Sequence, residues 1–162
     1  MTARFPAARA AASVILAGAL LLGTAGCSFM STKATLIQYD PSDGISLQVG
    51  EVRALNAMAV LGEDGQTANL AVTLVNSGDR AHNVVLQYEA GNAKSTVNAY
   101  VPAGEAVSFG GADDKQLLLE GLDGVIAGSV IPVYVQYGQE EGALGLVPVL
   151  DGSWAEYAPL AP

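Results

Sequence analysis

Apolar and polar residues alternate at a period of two through most of the chain after residue 45. In the clearest run Leu70, Val72 and Leu74 share one side of a strand, and the turn-forming residues 76–79 follow it. Similar runs occur at 84–88, 97–101, 107–109, 131–135 and 144–150. Short alternating runs separated by turns predict an all-β domain, an immunoglobulin-like or cupredoxin-like β-sandwich of about seven to nine strands.

The turns between these runs contain glycine, aspartate and proline. Asp-Gly pairs at 43–44, 64–65, 123–124 and 151–152 predict chain reversals, and the turn at 76–79 predicts a hairpin or a corner. Pro132 and Pro148 lie inside alternating runs. Because proline has no N–H to donate to a ladder, each predicts an edge strand or a bulge.

The first 27 residues have a different pattern. Arg4 and Arg9 precede an uncharged apolar stretch, small residues follow, and the single cysteine is Cys27. This order predicts a secretory signal helix. Its end resembles the lipobox of bacterial lipoproteins, with Thr24 in place of the commoner leucine, which implies cleavage between Gly26 and Cys27 and a diacylglyceryl group on the Cys27 thiol. The alternatives are an uncleaved anchor, for which the apolar core is short, and a free cysteine.

This reading divides the chain into a signal peptide (1–26), the lipidated cysteine with a tether (27–44), a β-sandwich (45–152) and a C-terminal tail (153–162). All 16 carboxylates but only five cations follow Cys27, a balance of −11. That charge repels nucleic acid and anionic headgroups. We therefore expect no nucleic-acid partner and a lipid-held position at the cell membrane, facing the extracytoplasmic side.

Three segments of the second half also resemble a known family. They read VPAGEAVSF (101–109), QLLLEGL (116–122) and IAGSVIPV (126–133), an order similar to that of the PCu(A)C periplasmic copper chaperones. The chain as a whole resembles actinobacterial LpqE-type lipoproteins, which look like metal-free relatives of that fold, and residues 69–78 look like their first core strand and turn. The resemblance covers about residues 45–152.

The resemblance also implies that copper ligands are missing. The family typically binds copper(I) with two histidines and two methionines, and its His-x-Met pair falls here on Gln116 and Leu118, which are not ligands for this soft ion. The candidates left in the domain are His82 and Met58. We expect His82 to be a polar residue at the start of a strand, Met58 to fill the core, and the protein to have no cofactor. Calcium at an aspartate-rich turn is the remaining alternative for a metal.

No catalytic set accompanies these residues. His82 is the one histidine, and the paired carboxylates at 63–64, 113–114 and 140–141 lie beside glycines in predicted loops. We therefore expect no enzymatic activity. Tyr134, Trp154 and Tyr157 are candidates for a recognition surface. The tail could instead pack back on the sandwich, which the large apolar area of tryptophan favours.

Together these features favour a membrane-anchored lipoprotein with a non-catalytic binding or structural role, its partner an unknown envelope protein or ligand. The first alternative is a copper-trafficking protein that uses His82 and Met58. The second is an envelope hydrolase.

Overall fold

The computed structural model describes residues 10–19, 33–36, 39–91 and 93–162. The predicted processing site at Gly26 and Cys27 lies outside the described residues. The chain divides into two compact units, residues 1–39 and 40–162. In the first unit, residues 10–19 are helical and Ala34–Leu36 forms a 3₁₀ turn. No helix in the described part of the chain has the length and apolarity needed to cross a membrane.

The second unit is built of β-strands, which confirms the all-β prediction. Its described residues contain nine strands: β1 (Ile45–Val49), β2 (Val52–Leu61), β3 (Ala68–Asn76), β4 (His82–Ala90), β5 (Ala93–Val101), β6 (Ala106–Phe109), β7 (Leu118–Leu119), β8 (Val130–Gln136) and β9 (Ala143–Asp151). A second 3₁₀ turn, Ala158–Leu160, follows β9.

The strands form one curled sheet in the order β5-β4-β8-β9-β2-β3-β6, with β1 added beside β2 and β7 beside β3. β9 joins the two halves of this sheet. It pairs antiparallel with β8 as far as Pro148 and then parallel with β2 from Val149 to Asp151. A single apolar cluster takes side chains from both halves, among them Leu70, Leu74, Val84, Leu86, Val133 and Val149. The sandwich is therefore a continuous sheet that folds over its own core.

The turn at 76–79 makes a corner, because β3 pairs with β2, β6 and β7 while β4 pairs with β5 and β8. Asn76 organises this corner from a buried position. Its Nδ2 donates to the carbonyls of Arg80 (2.7 Å) and Pro102 (3.0 Å), and its Oδ1 accepts from the Gly78 amide (3.0 Å). The Asn76 side chain thus provides a hydrogen-bonding partner for each of these three backbone groups.

A bulge in β2 changes which residues face the core. Asn56 has a φ of 51°, and the β2–β3 register shifts between Leu55 and Met58. Ala54 is in the core before the bulge, whereas Ala57 is in the core after it. The Asn56 side chain accepts a 2.9 Å hydrogen bond from the Gly44 amide. A Cβ at Gly44 would lie 2.5 Å from the Asn56 carbonyl carbon, so this close approach requires glycine.

The edge-strand alternative for the two prolines is wrong, because β8 and β9 each have a neighbour on both sides. The bulge alternative is not borne out in the β8–β9 ladder, whose register runs through both prolines without a shift. Each proline instead lies next to the end of a ladder. The β4–β8 pairing extends to Val133 and leaves Pro132 outside it, and the β2–β9 pairing begins at Val149, directly after Pro148. Each proline therefore lies outside one of the two ladders that its strand forms.

The end of the C-terminal segment packs against the outer face of β2 and β3. Val60 and Asn69 are paired across these strands, and both are fully buried. Asn69 Nδ2 donates to the carbonyl of Leu160 at 2.8 Å. A Cβ added at Gly62 would lie 3.0 Å from Pro162 Cγ. Residues 160–162 therefore lie against the sheet. Met58 is buried too, outside the main core cluster.

Candidate binding site

A cleft of about 470 Å³ opens where β9 continues into the C-terminal segment. Its floor is formed by Gly128 and by Val149 and Leu150 of β9, and its rim includes Asp43, Trp154 and Tyr157. We call it the C-terminal cleft. The floor is held by two backbone hydrogen bonds, from Gly128 N to Val149 O (2.8 Å) and from Val149 N to Ser129 O (3.0 Å).

Trp154 stands at the rim of this cleft with 68% of its surface exposed. The Trp154 carbonyl accepts hydrogen bonds from the amides of Tyr157 (3.0 Å) and Ala158 (2.9 Å), so the chain forms a turn that begins at Trp154. The expectation that the tail packs on the sandwich therefore applies to residues 160–162 and is wrong for Trp154. The turn places the indole at the cleft, whereas residues 160–162 pack on the sheet.

Tyr157 fixes one wall of the cleft. Its hydroxyl donates a short hydrogen bond to the carboxylate of Asp43. That bond, followed by burial and by the negative charges of Asp43 and Glu156, raises the pKa of Tyr157 to about 12. The phenol therefore remains a donor at neutral pH, and it ties the turn before β1 to the C-terminal segment.

Asp151 is a second lining residue whose side chain is held in place. Its Oδ1 accepts from the Ser153 amide at 3.0 Å and from the Ser153 hydroxyl. The hydroxyl bond first, and the amide bond second, lower the pKa of Asp151 below its ordinary value of 3.8. Since both bonds favour the charged form, Asp151 is a fixed anion at neutral pH.

The cleft combines an aromatic face with an acidic rim. Asp43, Asp151 and Glu156 all line it, and none of the described residues that line it is lysine or arginine. None of the described residues that line it is histidine either. This arrangement is suited to holding a ligand.

Tyr134 lies elsewhere, on the outer face of β8 and β9. Three cross-strand pairs on this face are entirely apolar: Val130 with Pro148, Pro132 with Leu146, and Tyr134 with Leu144. Val130, Leu144 and Leu146 are each at least half exposed. The structure thus brings Trp154 and Tyr157 together and separates Tyr134 from them. The sequence analysis did not predict the rest of this face. Apolar residues at both odd and even positions of 130–135 and 144–150 were a signal that both faces of these strands are apolar.

His82 is the first residue of β4 and lies in a second cleft, of about 440 Å³. Its ring packs on Tyr137 with centroids 4.2 Å apart. Its buried Nε2 has no hydrogen-bond partner and lies 3.9 Å from Glu51 Oε2. In the described part of the chain, no three residues among histidines, cysteines and carboxylates are grouped so that they could hold a metal ion.

The two positions onto which the sequence resemblance places the His-x-Met pair, Gln116 and Leu118, lie far from His82. Gln116 is exposed, and Leu118 pairs with Asn69 at the first end of β3. His82 pairs with Val101, whose carbonyl accepts from Asn76 at the other end of β3. Seven strand residues span roughly 23 Å at about 3.3 Å each. The structure therefore does not bring His82 together with Gln116 and Leu118.

Comparisons with known proteins give structural neighbours only. No protein-family model matches the chain, and a search of curated proteins returned no match. Among solved structures, the chain is similar to the apo PCuAC domain from PmoF1 (TM-score 0.49, 12% identity, 65% of this chain and 99% of that one). It is also similar to PCuAC domains from PmoF2, copper-bound (0.47, 17%, 65% and 98%) and apo (0.48, 16%, 65% and 95%). All three are PCuAC domains, the family that the sequence motifs resemble. The LpqE-type resemblance stays a prediction.

Proposed function

We propose that this chain is a lipid-anchored extracytoplasmic protein that binds an envelope protein or ligand through its C-terminal cleft and catalyses no reaction. The observation that supports this most directly is the exposed Trp154 at the mouth of an acidic cleft whose walls are held by Tyr157 and Ser153. An aromatic side chain at a preformed concave surface is typical of a binding site.

The anchoring part of the proposal rests on the sequence around Cys27. Cells fed an alkyne-labelled fatty acid should incorporate the label into the wild-type protein and into a Ser28→Ala control, and Cys27→Ser should abolish both labelling and membrane retention. An unlabelled wild-type protein, or a labelled Cys27→Ser variant, would contradict lipidation at this residue.

The binding part is tested in intact cells with a photoreactive phenylalanine analogue at Ala155, an exposed position between Trp154 and Glu156. We expect this probe to capture a discrete adduct. The matched control carries the same probe at Gln139, an exposed residue in the turn between β8 and β9 at the other end of the domain. Equal capture from both positions, or none from Ala155, would argue against the cleft as the binding site.

Metal handling is the second candidate, and one observation favours it. The buried Nε2 of His82 has no partner and lies 3.9 Å from a Glu51 carboxylate oxygen. Competition with a chromogenic copper(I) chelator tests it. Binding much tighter than micromolar that is lost in His82→Ala and retained in Met58→Leu would favour metal handling at His82 over our leading proposal. Equal chelator competition by wild type and His82→Ala would remove this candidate.

A further inference from the structure

We infer that the C-terminal cleft recognises an alkylammonium group, which stacks on Trp154 and is hydrogen-bonded by the surrounding carboxylates. This inference rests on the proposed binding function and names the ligand chemistry. Its basis is the pairing of an exposed indole with Asp43, Asp151 and Glu156 around one cavity of about 470 Å³.

The indole supplies the first element of recognition. An indole face attracts a cation placed over it more strongly than the faces of tyrosine or phenylalanine do. Trp154 is 68% exposed and lines the cleft, and the hydrogen bonds to its carbonyl hold its backbone. Leu150, a partly exposed apolar residue of the lining, suits the alkyl stem that a primary ammonium carries.

The carboxylates supply the second element. An ammonium group has three donors and no acceptor, and a carboxylate only accepts. Tyr157 holds Asp43 and Ser153 holds Asp151, so the positions of both carboxylates are set before any ligand arrives. Pre-set acceptors reduce the ordering that binding requires.

None of the described residues that line this cleft carries a positive charge, which distinguishes it from the acidic cleft at His82. The His82 cleft is lined by Glu51, Asp79 and Glu140 but also by Arg80, whose Nε lies 3.6 Å from Asp79 Oδ1. In the C-terminal cleft, none of the described lining residues neutralises the three carboxylates. An anionic ligand would be repelled there, and the acidic balance of the chain raises the local concentration of cations.

Trp154 is the single tryptophan of the chain, so its fluorescence reports on this cleft alone. The full-length protein in nonionic detergent is titrated with butylammonium, with the amide of tetralysine, with butanol and with cellotetraose. We expect a saturable fluorescence change with the two cationic probes and none with butanol or cellotetraose at equal concentration. Tighter binding of tetralysine points to a basic peptide as the source of the ammonium, and equal affinity points to a free amine.

Charge variants locate the effect. Glu156→Gln and Asp151→Asn should each weaken butylammonium binding about 10-fold, since each removes one charged acceptor. Glu105→Gln makes the same charge change at an exposed turn in the other half of the sheet and should stay within about twofold of wild type.

Two results would overturn the inference: no saturable response to butylammonium, or equal weakening by Glu105→Gln and Glu156→Gln. If cellotetraose saturates the signal and butylammonium does not, the ammonium inference fails while the proposed binding function stands. If no probe changes the fluorescence and the crosslinker at Ala155 captures nothing, both fail.

Discussion

The hydroxyl of Tyr157 donates a hydrogen bond to the carboxylate of Asp43, although 114 residues separate the two in the chain. Asp43 lies in the turn that leads into β1, and Tyr157 lies beyond the last strand. This single bond therefore ties the beginning of the folded domain to its end, and it forms one wall of the C-terminal cleft.

The Tyr157 phenol should ionise with a pKa of about 12, compared with an ordinary value of 10.0. Because the folded-state pKa is raised, the stability that the pair contributes is complete below pH 10 and is lost as the pH rises from 10 towards 12. Subtracting the alkaline absorbance titration of Tyr157→Phe from that of the wild type isolates this phenol. Asp43→Asn should move the titration down towards 10; an unchanged midpoint in Asp43→Asn would show that the bond does not cause the shift.

Replacing Asn69 with alanine should lower the free energy of unfolding by about 3 kcal/mol, because it leaves buried backbone groups unpaired. Its Nδ2 donates to the carbonyls of Gly110 (2.9 Å) and Leu160 (2.8 Å). Urea denaturation measures the change. Asn98→Ala removes the same side chain at an exposed site of β5 and should cost less than about 0.5 kcal/mol. Similar losses of unfolding free energy in both variants would mean that the buried position of Asn69 contributes no additional stability.

Two glycines with positive φ separate steric clash from backbone strain. Gly104 (φ 68°) has open space around the position of a Cβ, whereas a Cβ at Gly110 (φ 75°) would lie 2.5 Å from the Leu70 carbonyl oxygen. Gly104→Ala should cost about 1 kcal/mol of unfolding free energy from strain alone. Gly110→Ala should cost about 3 kcal/mol or more, since the backbone must also move. Equal midpoints in thermal denaturation would contradict the close approach.

A polar substitution should change the free energy of unfolding much more at one residue of β9 than at its neighbour. Val147 is 1% exposed in the core, and Leu146 is 56% exposed on the outer face. Val147→Asn should lower the unfolding free energy by about 3 kcal/mol or prevent folding, because a polar group is buried without a partner. Leu146→Asn should change it by about 0.5 kcal/mol. A larger loss from Leu146→Asn than from Val147→Asn would reverse the assigned faces of β9.

Alternation was sufficient to predict the fold class, because each strand of a curled sheet buries one side. The spacing of Val84, Leu86 and Tyr88 gives the buried face of β4, and all three are in the core. Where alternation breaks, sequence reasoning had no rule to apply. The extra residue at Asn56 changes which alternate residues of β2 face the core. A polar residue inside an apolar run does not by itself predict a bulge.

The candidate site was predictable only in part. Trp154 and Tyr157 were predictable as recognition residues because they are aromatic and lie beyond the last predicted strand. Asp43 is remote in sequence, and nothing local couples it to Tyr157. Asp151 appeared as half of an Asp-Gly turn, and its bonds to Ser153 depend on the backbone conformation after β9. The acidic rim is thus a product of tertiary structure, since residues from both ends of the domain meet there.

β9 has a consequence for the order in which the domain can be completed. Residues 149–151 supply the parallel partner of Ala59–Leu61, about 90 positions earlier in the chain. During synthesis the β9-facing side of β2 therefore stays unpaired until the residues of β9 have left the ribosome. The sandwich can be completed only after that point, so a nascent chain that lacks β9 has no finished core, however much of β1 to β8 has already been made.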